Sequence, residues 1–306
     1  MNQSSLSLPS FAKINWSLEV LGKRPDGYHE VRTVLQTISL QDDLHFELTE
    51  DRAVSLSCDN PDIPTGSDNL ILRAARALQE RFEVEQGIRI RLEKRIPIKG
   101  GLGGASSNAA VTLMALKHLW QVKPAASELL EIAARLGADV PFFLFGGCVR
   151  ATGIGATLSP LSDAPEPVRR HLIVITPNTA ISTAAAYNAL DSRALTTKNA
   201  NPILSVSQSE ANTGHSQPWT LEDSLENDFE SVIFDIEPEI RRTKETLLQA
   251  GALGALLAGS GSSVFGIFTN REDQQRAVNE IKLEAGWRIF PCVTVSRNEY
   301  IRAVGS

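Results

Sequence analysis

Alternation of apolar and charged positions is clearest over residues 87–96, where Ile88, Ile90 and Leu92 interleave with Arg89, Arg91 and Glu93. A period of two predicts a strand with one face buried. Strand patterns also occupy 14–20, 31–39 and 44–48 early in the chain, and 263–269 near its end. Residues 171–176 read as a strand buried on both faces, because their apolar run is unbroken from Leu172 to Ile175. Apolar residues at helical spacing predict helices over 69–82, 127–136, 238–249 and 271–285, followed by strands to Val304. A further helix starts near Ser106 or Ser107 and carries Ala109, Ala110, Leu113, Leu116 and Trp120 on its apolar face. Strands and helices mixed in two successive runs predict an α+β protein of two lobes, each with a mixed sheet and helices.

Breaks in the pattern divide the chain. A stretch with proline and aspartate at 159–167 marks the seam, giving domains at 1–160 and 161–306. Residues 196–218 are rich in Asn, Ser, Gln and Thr, and read as a long surface insertion with little regular structure. No internal repeat is visible. At 306 residues the chain can bury two cores, and 42% hydrophobic with 22% charged residues describes an ordinary soluble globule.

Charge and cysteine content narrow the function classes. Thirty Lys and Arg against 36 Asp and Glu leave a formal charge of −6, which carries no footprint for nucleic acid or a membrane surface. Three scattered cysteines, Cys58, Cys148 and Cys292, lack metal-type spacing and suit a reducing, cytoplasmic setting. The first twenty residues lack the basic-then-apolar order of a signal peptide, and runs such as 142–145 are too short to span a bilayer. A polyanionic ligand must therefore be held by local donors.

Such donors are offered by Pro97-Ile98-Lys99-Gly100-Gly101-Leu102-Gly103-Gly104-Ala105-Ser106-Ser107-Asn108, which lies between a predicted strand and a predicted helix. Four glycines in five residues permit positive φ and a close backbone approach. The helix behind them supplies unpaired N–H groups and a partial positive charge, which suits a triphosphate. The alternative is a glycine-rich turn with an ordinary serine cap. Two better-known phosphate loops are excluded. No glycine precedes Lys-Ser or Lys-Thr, and a dinucleotide fingerprint begun at Gly101 meets Ser106 where its third glycine belongs.

The spacing Pro-x-x-x-Gly-Leu-Gly-x-Ala-Ser-Ser resembles instead the phosphate loop of the GHMP kinases, which phosphorylate small alcohols such as galactose, homoserine and mevalonate. Further segments agree: Ala12-Lys13-Ile14-Asn15, Arg24-Pro25-Asp26-Gly27-Tyr28-His29, Ser67-Asp68-Asn69-Leu70, Leu136-Gly137-Ala138-Asp139-Val140-Pro141, and Ala258-Gly259-Ser260-Gly261-Ser262-Ser263. The resemblance runs from about residue 10 to the last strands. It implies the two-lobed fold of that family, with the active site in the cleft between lobes. The pairing of Lys-Ile-Asn with Asp-Gly-Tyr-His implies a cytidine diphosphate-linked methylerythritol as acceptor. The activity implied is transfer from ATP to its 2-hydroxyl, a step of non-mevalonate isoprenoid synthesis. Two alternatives stand beside it: a GHMP kinase of another small alcohol, of homoserine or mevalonate type, and a nucleotide-binding module without catalysis.

The resemblance also assigns roles, each beside a plainer reading. Asp139 is the implied base, although an Asp between Gly137 and Pro141 also occupies an N-cap position. Lys13 is its implied partner, or else a solvated lysine at a strand end. Asn15, two residues on and on the same strand face, would bind the polyol. Tyr28 would stack on cytosine and His29 would hydrogen-bond it, unless both simply pack after the turn. Tyr187 would form the second wall, in a segment with Thr183 that departs from the proline and phenylalanine common there in the family. Pro97, Gly100, Gly101, Leu102, Gly103, Gly104, Ala105, Ser106 and Ser107 would cradle ATP. Asn69 would contact the adenine side or cap the helix at Leu70. Gly259, Ser260 and Gly261 would close on phosphates and substrate. Magnesium would be held mainly through phosphates, with no protein ligand assigned. The implied partners are the small acceptor and ATP, and the chain is expected as a monomer or weak homodimer.

Overall fold

In the computed structural model, which describes residues 4–161, 169–198 and 225–305, two long strands organise the fold. Strand β1 (Ser5–Lys23) pairs antiparallel with β2 (His29–Thr49). The turn between them closes through Gly27, whose amide donates to the Arg24 carbonyl at 3.1 Å and whose φ is +86°. Residues 10–18 of β1 are buried without alternation. Helices cover one face of this strand and a second sheet covers the other, so both sets of side chains are enclosed. The predicted strands 31–39 and 44–48 are one strand, β2.

Among the described residues the first sheet has seven strands, in the order β3-β4-β2-β1-β8 with β5 pairing β2 and β6. They are β3 (Val54–Cys58), β4 (Gly87–Glu93), β5 (Cys148–Gly153), β6 (Thr157–Pro160) and β8 (Glu226–Asn227). The second sheet is antiparallel, ordered β11-β7-β10-β9. It comprises β7 (His171–Thr176), β9 (Gly254–Leu257), β10 (Val264–Phe268) and β11 (Arg288–Val293). A core shared by the two sheets joins Ala12, Ile14, Trp16 and Ile38 to Leu172, Val174, Phe265 and Cys292. Trp16 meets Phe265 edge-to-face at 5.6 Å.

On the first sheet lie α1 (Leu70–Arg81), α2 (Gly104–Leu119), α3 (Ala126–Leu136) and the single turn α4 (Phe142–Phe145). The second sheet carries α5 (Thr183–Lys198), α6 (Glu230–Ile236), α7 (Pro238–Gln249) and α8 (Arg271–Glu280). The chain returns to the first layer through α9 (Arg297–Val304), whose Tyr300 packs on Phe11 in the core.

Several expectations need correction. Helix α2 begins at Gly104, earlier than predicted, and its N-cap is Gly103 at φ +72° rather than a serine. Serine signals were outweighed by glycine, which alone takes that backbone conformation cheaply. The predicted strand after 297 is helix α9, started by a reciprocal cap between Ser296 and Glu299. Helix α8 stops at Glu280 rather than 285. The surface-insertion reading of 196–218 meets α5 up to Lys198, and the rest of it lies outside the described residues, as does most of the 159–167 seam.

Candidate active site

Strand β1 places Lys13 where both sheets meet. It is 4% exposed, and its Nζ donates to Asn15 Oδ1 at 2.9 Å. Asn15 in turn donates to Thr33 Oγ1 at 2.8 Å, and Thr33 donates to the Ser17 carbonyl at 2.6 Å. A buried ammonium held this way cannot swing, so its position is set by the strand. Opposite it stands Asp139, with Oδ2 3.7 Å from Lys13 Nζ and the side chain 44% exposed. The short helix that follows has Pro141 at its N-cap and no side-chain cap bond. Asp139 is thus an ion-pair partner facing open space, not a cap, and the solvated reading of Lys13 also falls.

Two turns of small residues pack against this pair. The Lys13 amide donates to the Leu102 carbonyl at 2.9 Å, and the Ser263 amide donates to the Gly100 carbonyl at 3.1 Å. A Cβ on Gly101 would lie 1.9 Å from the Ala258 carbonyl oxygen. On Gly259 it would lie 3.0 Å from the Gly101 oxygen and 3.2 Å from Lys13 Nζ, and on Gly103 it would press on the Phe143 ring and Lys13 Cγ. These glycines let two turns and the lysine interlock. The expectation that they clear space for a ligand is corrected in part: the Cβ positions at 101, 103 and 259 point into protein. What faces outward is the start of α2, which has no side-chain cap and so leaves first-turn N–H groups for an anion.

The remaining candidates fall in three places. Pro97, Gly100, Leu102 and Ser107 are buried, and Ser107 Oγ accepts from Ser10 Oγ at 2.8 Å, so its hydroxyl faces the core. Gly104 and Ser106 are partly exposed and Ala105 is exposed, at the helix start. Asn69 caps α1: its Oδ1 accepts from the Ile71 amide at 2.9 Å and its Nδ2 donates to the Pro64 carbonyl at 2.7 Å. Thr183, first residue of α5, meets Ser260 of the second turn, hydroxyl to hydroxyl at 3.0 Å.

Beyond the ion pair lies an aromatic wall. The His29 ring stacks on Tyr187 with centroids 4.4 Å apart and planes at 22°, and Tyr187 meets Phe229 edge-on at 4.9 Å. His29 Nε2 is 2.7 Å from Asp191 Oδ1, and Lys23 Nζ donates to Asp191 Oδ2 at 2.7 Å. Hydrogen bonds from Lys23 and His29 hold the Asp191 carboxyl below its ordinary range. Burial pushes the Tyr187 phenol up, and the Asp139 charge pushes it further, so the wall and the ion pair share one electrostatic neighbourhood. Tyr28, 62% exposed, presents its ring at the open edge.

Sequence reasoning missed Asp191, because it sits on a helix whose alanine-rich start shows no clear face. It also missed Asn227. That buried amide donates to the Leu257 and Gly259 carbonyls at 2.9 and 2.8 Å and accepts from the Phe229 amide at 3.0 Å, fixing the second turn. Asn227 was discoverable only as a polar residue beside the apolar segment 229–236. Among the described residues no three His, Cys, Asp or Glu side chains converge as a metal cage.

A positioned carboxylate beside an ammonium, next to an anion-ready helix start, can orient a hydroxyl, take its proton and steady the oxygen left behind. Known proteins carry the same architecture. Residues 69–147 match the model of the GHMP kinases N terminal domain, and 219–285 match GHMP kinases C terminal. The chain is 40% identical over 284 residues to a 4-diphosphocytidyl-2-C-methyl-D-erythritol kinase of Chlorobium chlorochromatii, covering 92% of this chain and 95% of that one. It is 38% identical to the enzyme of the same name from Thermoanaerobacter pseudethanolicus, over 90% and 92% of the two chains. A crystal structure of 4-(cytidine 5'-diphospho)-2C-methyl-D-erythritol kinase superposes with a TM-score of 0.73 at 30% identity, covering 94% of this chain and 99% of that one. Homoserine kinase from Cytophaga hutchinsonii shares the fold at 20% identity, with a TM-score of 0.67 and coverage of 97% and 96%. On these matches, and on the fold and motifs described above, the chain belongs to the GHMP kinase family.

Proposed function

We propose that this kinase transfers the γ-phosphoryl group of ATP to the 2-hydroxyl of 4-diphosphocytidyl-2-C-methyl-D-erythritol, in the non-mevalonate route to isoprenoids. The observation that carries the reading is the buried Lys13 ammonium paired with Asp139, with the His29–Tyr187 stack near enough for the Asp139 charge to act on the Tyr187 phenol. One end suits a reacting hydroxyl and the other suits a flat base. The curated relatives of that name supply the identity of the acceptor.

In this reading Asp139 accepts the proton of the 2-hydroxyl, while Lys13 steadies the developing alkoxide. Asn15 binds the polyol, and Thr183 with Gly259, Ser260 and Gly261 closes on it. The 100–106 loop and the start of α2 hold the triphosphate through backbone N–H groups, and Asn69 borders the adenine. Tyr28 stacks on the cytosine, and the His29–Tyr187 stack has to part for Tyr187 to form the second wall and for His29 to reach the base edge. Magnesium fits an arrangement with few protein oxygens and a half-exposed carboxylate, since it keeps most of its waters; bound with ATP it would neutralise phosphate charge. We divide the chain into domains 1–160 and 161–306, of which the second lends β8 and α9 to the first layer. No helix among the described residues is long and apolar enough to cross a membrane. No disulfide forms among the described residues, in keeping with the cytoplasmic setting we propose. We take the working form as a monomer or weak homodimer.

The test is product analysis by phosphorus NMR. Protein, ATP, magnesium and the cytidyl substrate should yield ADP and a new phosphomonoester at carbon 2 in equal amounts. ADP formation without that ester would reject the reading.

A further inference from the structure

Beneath the glycine loop, away from the seam, lies a charge cluster without an assigned task. Asp42, in the middle of β2, is fully buried. Its Oδ1 accepts from the Arg95 amide at 2.8 Å, the Ile96 amide at 2.7 Å and Lys94 Nζ at 3.1 Å. Its Oδ2 accepts from Lys94 Nζ at 2.9 Å and from Asn108 Nδ2 at 3.1 Å. Lys94, with its side chain 6% exposed, also donates to the Ile96 carbonyl. Asn108 is 3% exposed, and its Oδ1 has no partner among the described residues.

A buried ion pair is weak evidence for stability, since apolar residues of similar volume often serve as well. An unsatisfied amide oxygen beside it is a further cost. Geometry supplies a reason for keeping both. Lys94, Arg95 and Ile96 are the last residues before the loop, and Asn108 sits in the second turn of the helix that leaves it. One carboxylate therefore grips the loop at entry and exit. The ammonium is tucked under its far end, 3.3 Å from where a Cβ on Gly104 would stand. Loop glycines carry no side chains to hold their own conformation, so the aim of the first-turn N–H groups needs an outside brace.

We propose that Asp42, bridged to Lys94 and Asn108, is a positioning unit that sets the span of the phosphate loop and thereby its affinity for the triphosphate. The proposal rests on the reading that this loop holds the nucleotide. Asp42 and its partners need touch no ligand; they act through the backbone.

The informative substitution is Asn108→Leu, which keeps the number of side-chain heavy atoms, cuts the exit grip and removes the orphan oxygen. Asp42 retains Lys94 and two backbone donors, so folding is preserved. Asn108→Ala serves where leucine does not pack. Binding of the β,γ-imido analogue of ATP is measured by calorimetry, beside the melting temperature and KM for the cytidyl acceptor. Ala105→Asp is the control on the loop itself: a carboxylate there favours the helix start but repels phosphate. The expected result is an analogue affinity weakened about tenfold in the Asn108 variants, the low end of the roughly 10–100-fold that losing a supporting partner behind a binding group costs at metal sites. KM for the acceptor should hold and melting should move by only a few degrees. Wild-type analogue affinity in folded Asn108 variants, with Ala105→Asp weakened, would overturn the proposal alone. Wild-type affinity in Ala105→Asp would overturn the loop assignment and this proposal with it. Failure of both Asn108 variants to fold would also overturn it, by making the cluster a folding requirement rather than an aiming device.

Discussion

In the proposed reaction a single pair bears most of the chemistry. Lys13 is buried and braced by Asn15, whereas Asp139 stands half in solvent. Replacing Asp139 with Asn keeps the shape and removes the proposed base. Turnover should fall by about 10²–10⁴-fold, the usual worth of general base catalysis, with ATP affinity nearly intact. Lys13→Ala should fall in the same range, and the double variant should lose less than the product because the two act together. Full turnover in Asp139→Asn would contradict the assignment. Gly103→Val makes a different point. The new side chain would press on Phe143 and Lys13 at a φ of +72°, a backbone cost of about 1–2 kcal/mol before any clash. Denaturant melts should show lowered stability as well as lost turnover. Lys13, Asp139 and Asn15 were singled out by the family resemblance of their motifs, whereas their places at element ends alone read Asp139 equally as a cap and Lys13 as a solvated strand-end lysine. The inward aim of Gly101 was not legible, since it depends on Ala258 in a turn more than 150 residues away that no local pattern announces.

Among elements, the second turn and helix α5 decide what meets that pair. Asn227 satisfies two buried carbonyls of the turn, so Asn227→Ala leaves both without their donor. Unfolding free energy in urea should drop by about 2–3 kcal/mol, the penalty for buried unpaired groups, with a fall in kcat as Gly259 shifts over Lys13. Unchanged stability would remove Asn227 from this role. Tyr28→Ala tests the aromatic wall: loss of one stacking face costs about 1–3 kcal/mol, which raises KM for the cytidyl acceptor about tenfold while KM for ATP holds. Helical patterns located α1, α3 and α7 within a residue, and the period-two pattern found the start of β4 but ran three residues past its end. Pattern reading failed at α5, where Thr183-Ala184-Ala185-Ala186 presents small residues on every side, and at α9, where the Ser296–Glu299 cap was a local signal left unused. Charged residues inside β2 likewise hid Asp42, which reads locally as one of two surface aspartates.

At the scale of the molecule, two sheets share a core, and that core holds Cys292. Burial pushes its thiol up to about 12. The unfolded thiol ionises near 9, so the folded form keeps its proton over that interval, and stability falls as pH rises from about 9 to about 12. Iodoacetamide at pH 8 should leave Cys292 unmodified in the folded protein and label it after unfolding, as read by mass spectrometry. Rapid native labelling would show that the sheets part in solution. Because this interface also sets Lys13 against the two turns, its integrity and the chemistry are one matter. Fold class and the two lobes were readable from the order of patterns, whereas the return of β8 and α9 to the first layer was not, being a long-range pairing. Choice of acceptor is where sheets, turns and wall act together, and one comparison addresses it. Initial rates with ATP give kcat/KM for 4-diphosphocytidyl-2-C-methyl-D-erythritol beside methylerythritol phosphate, homoserine and mevalonate. The cytidyl compound should be preferred by at least about tenfold over the nucleotide-free polyol, the scale of one stacking face, with homoserine and mevalonate barely used. Equal use of the polyol lacking cytidine, or robust turnover of homoserine or mevalonate, would contradict the account.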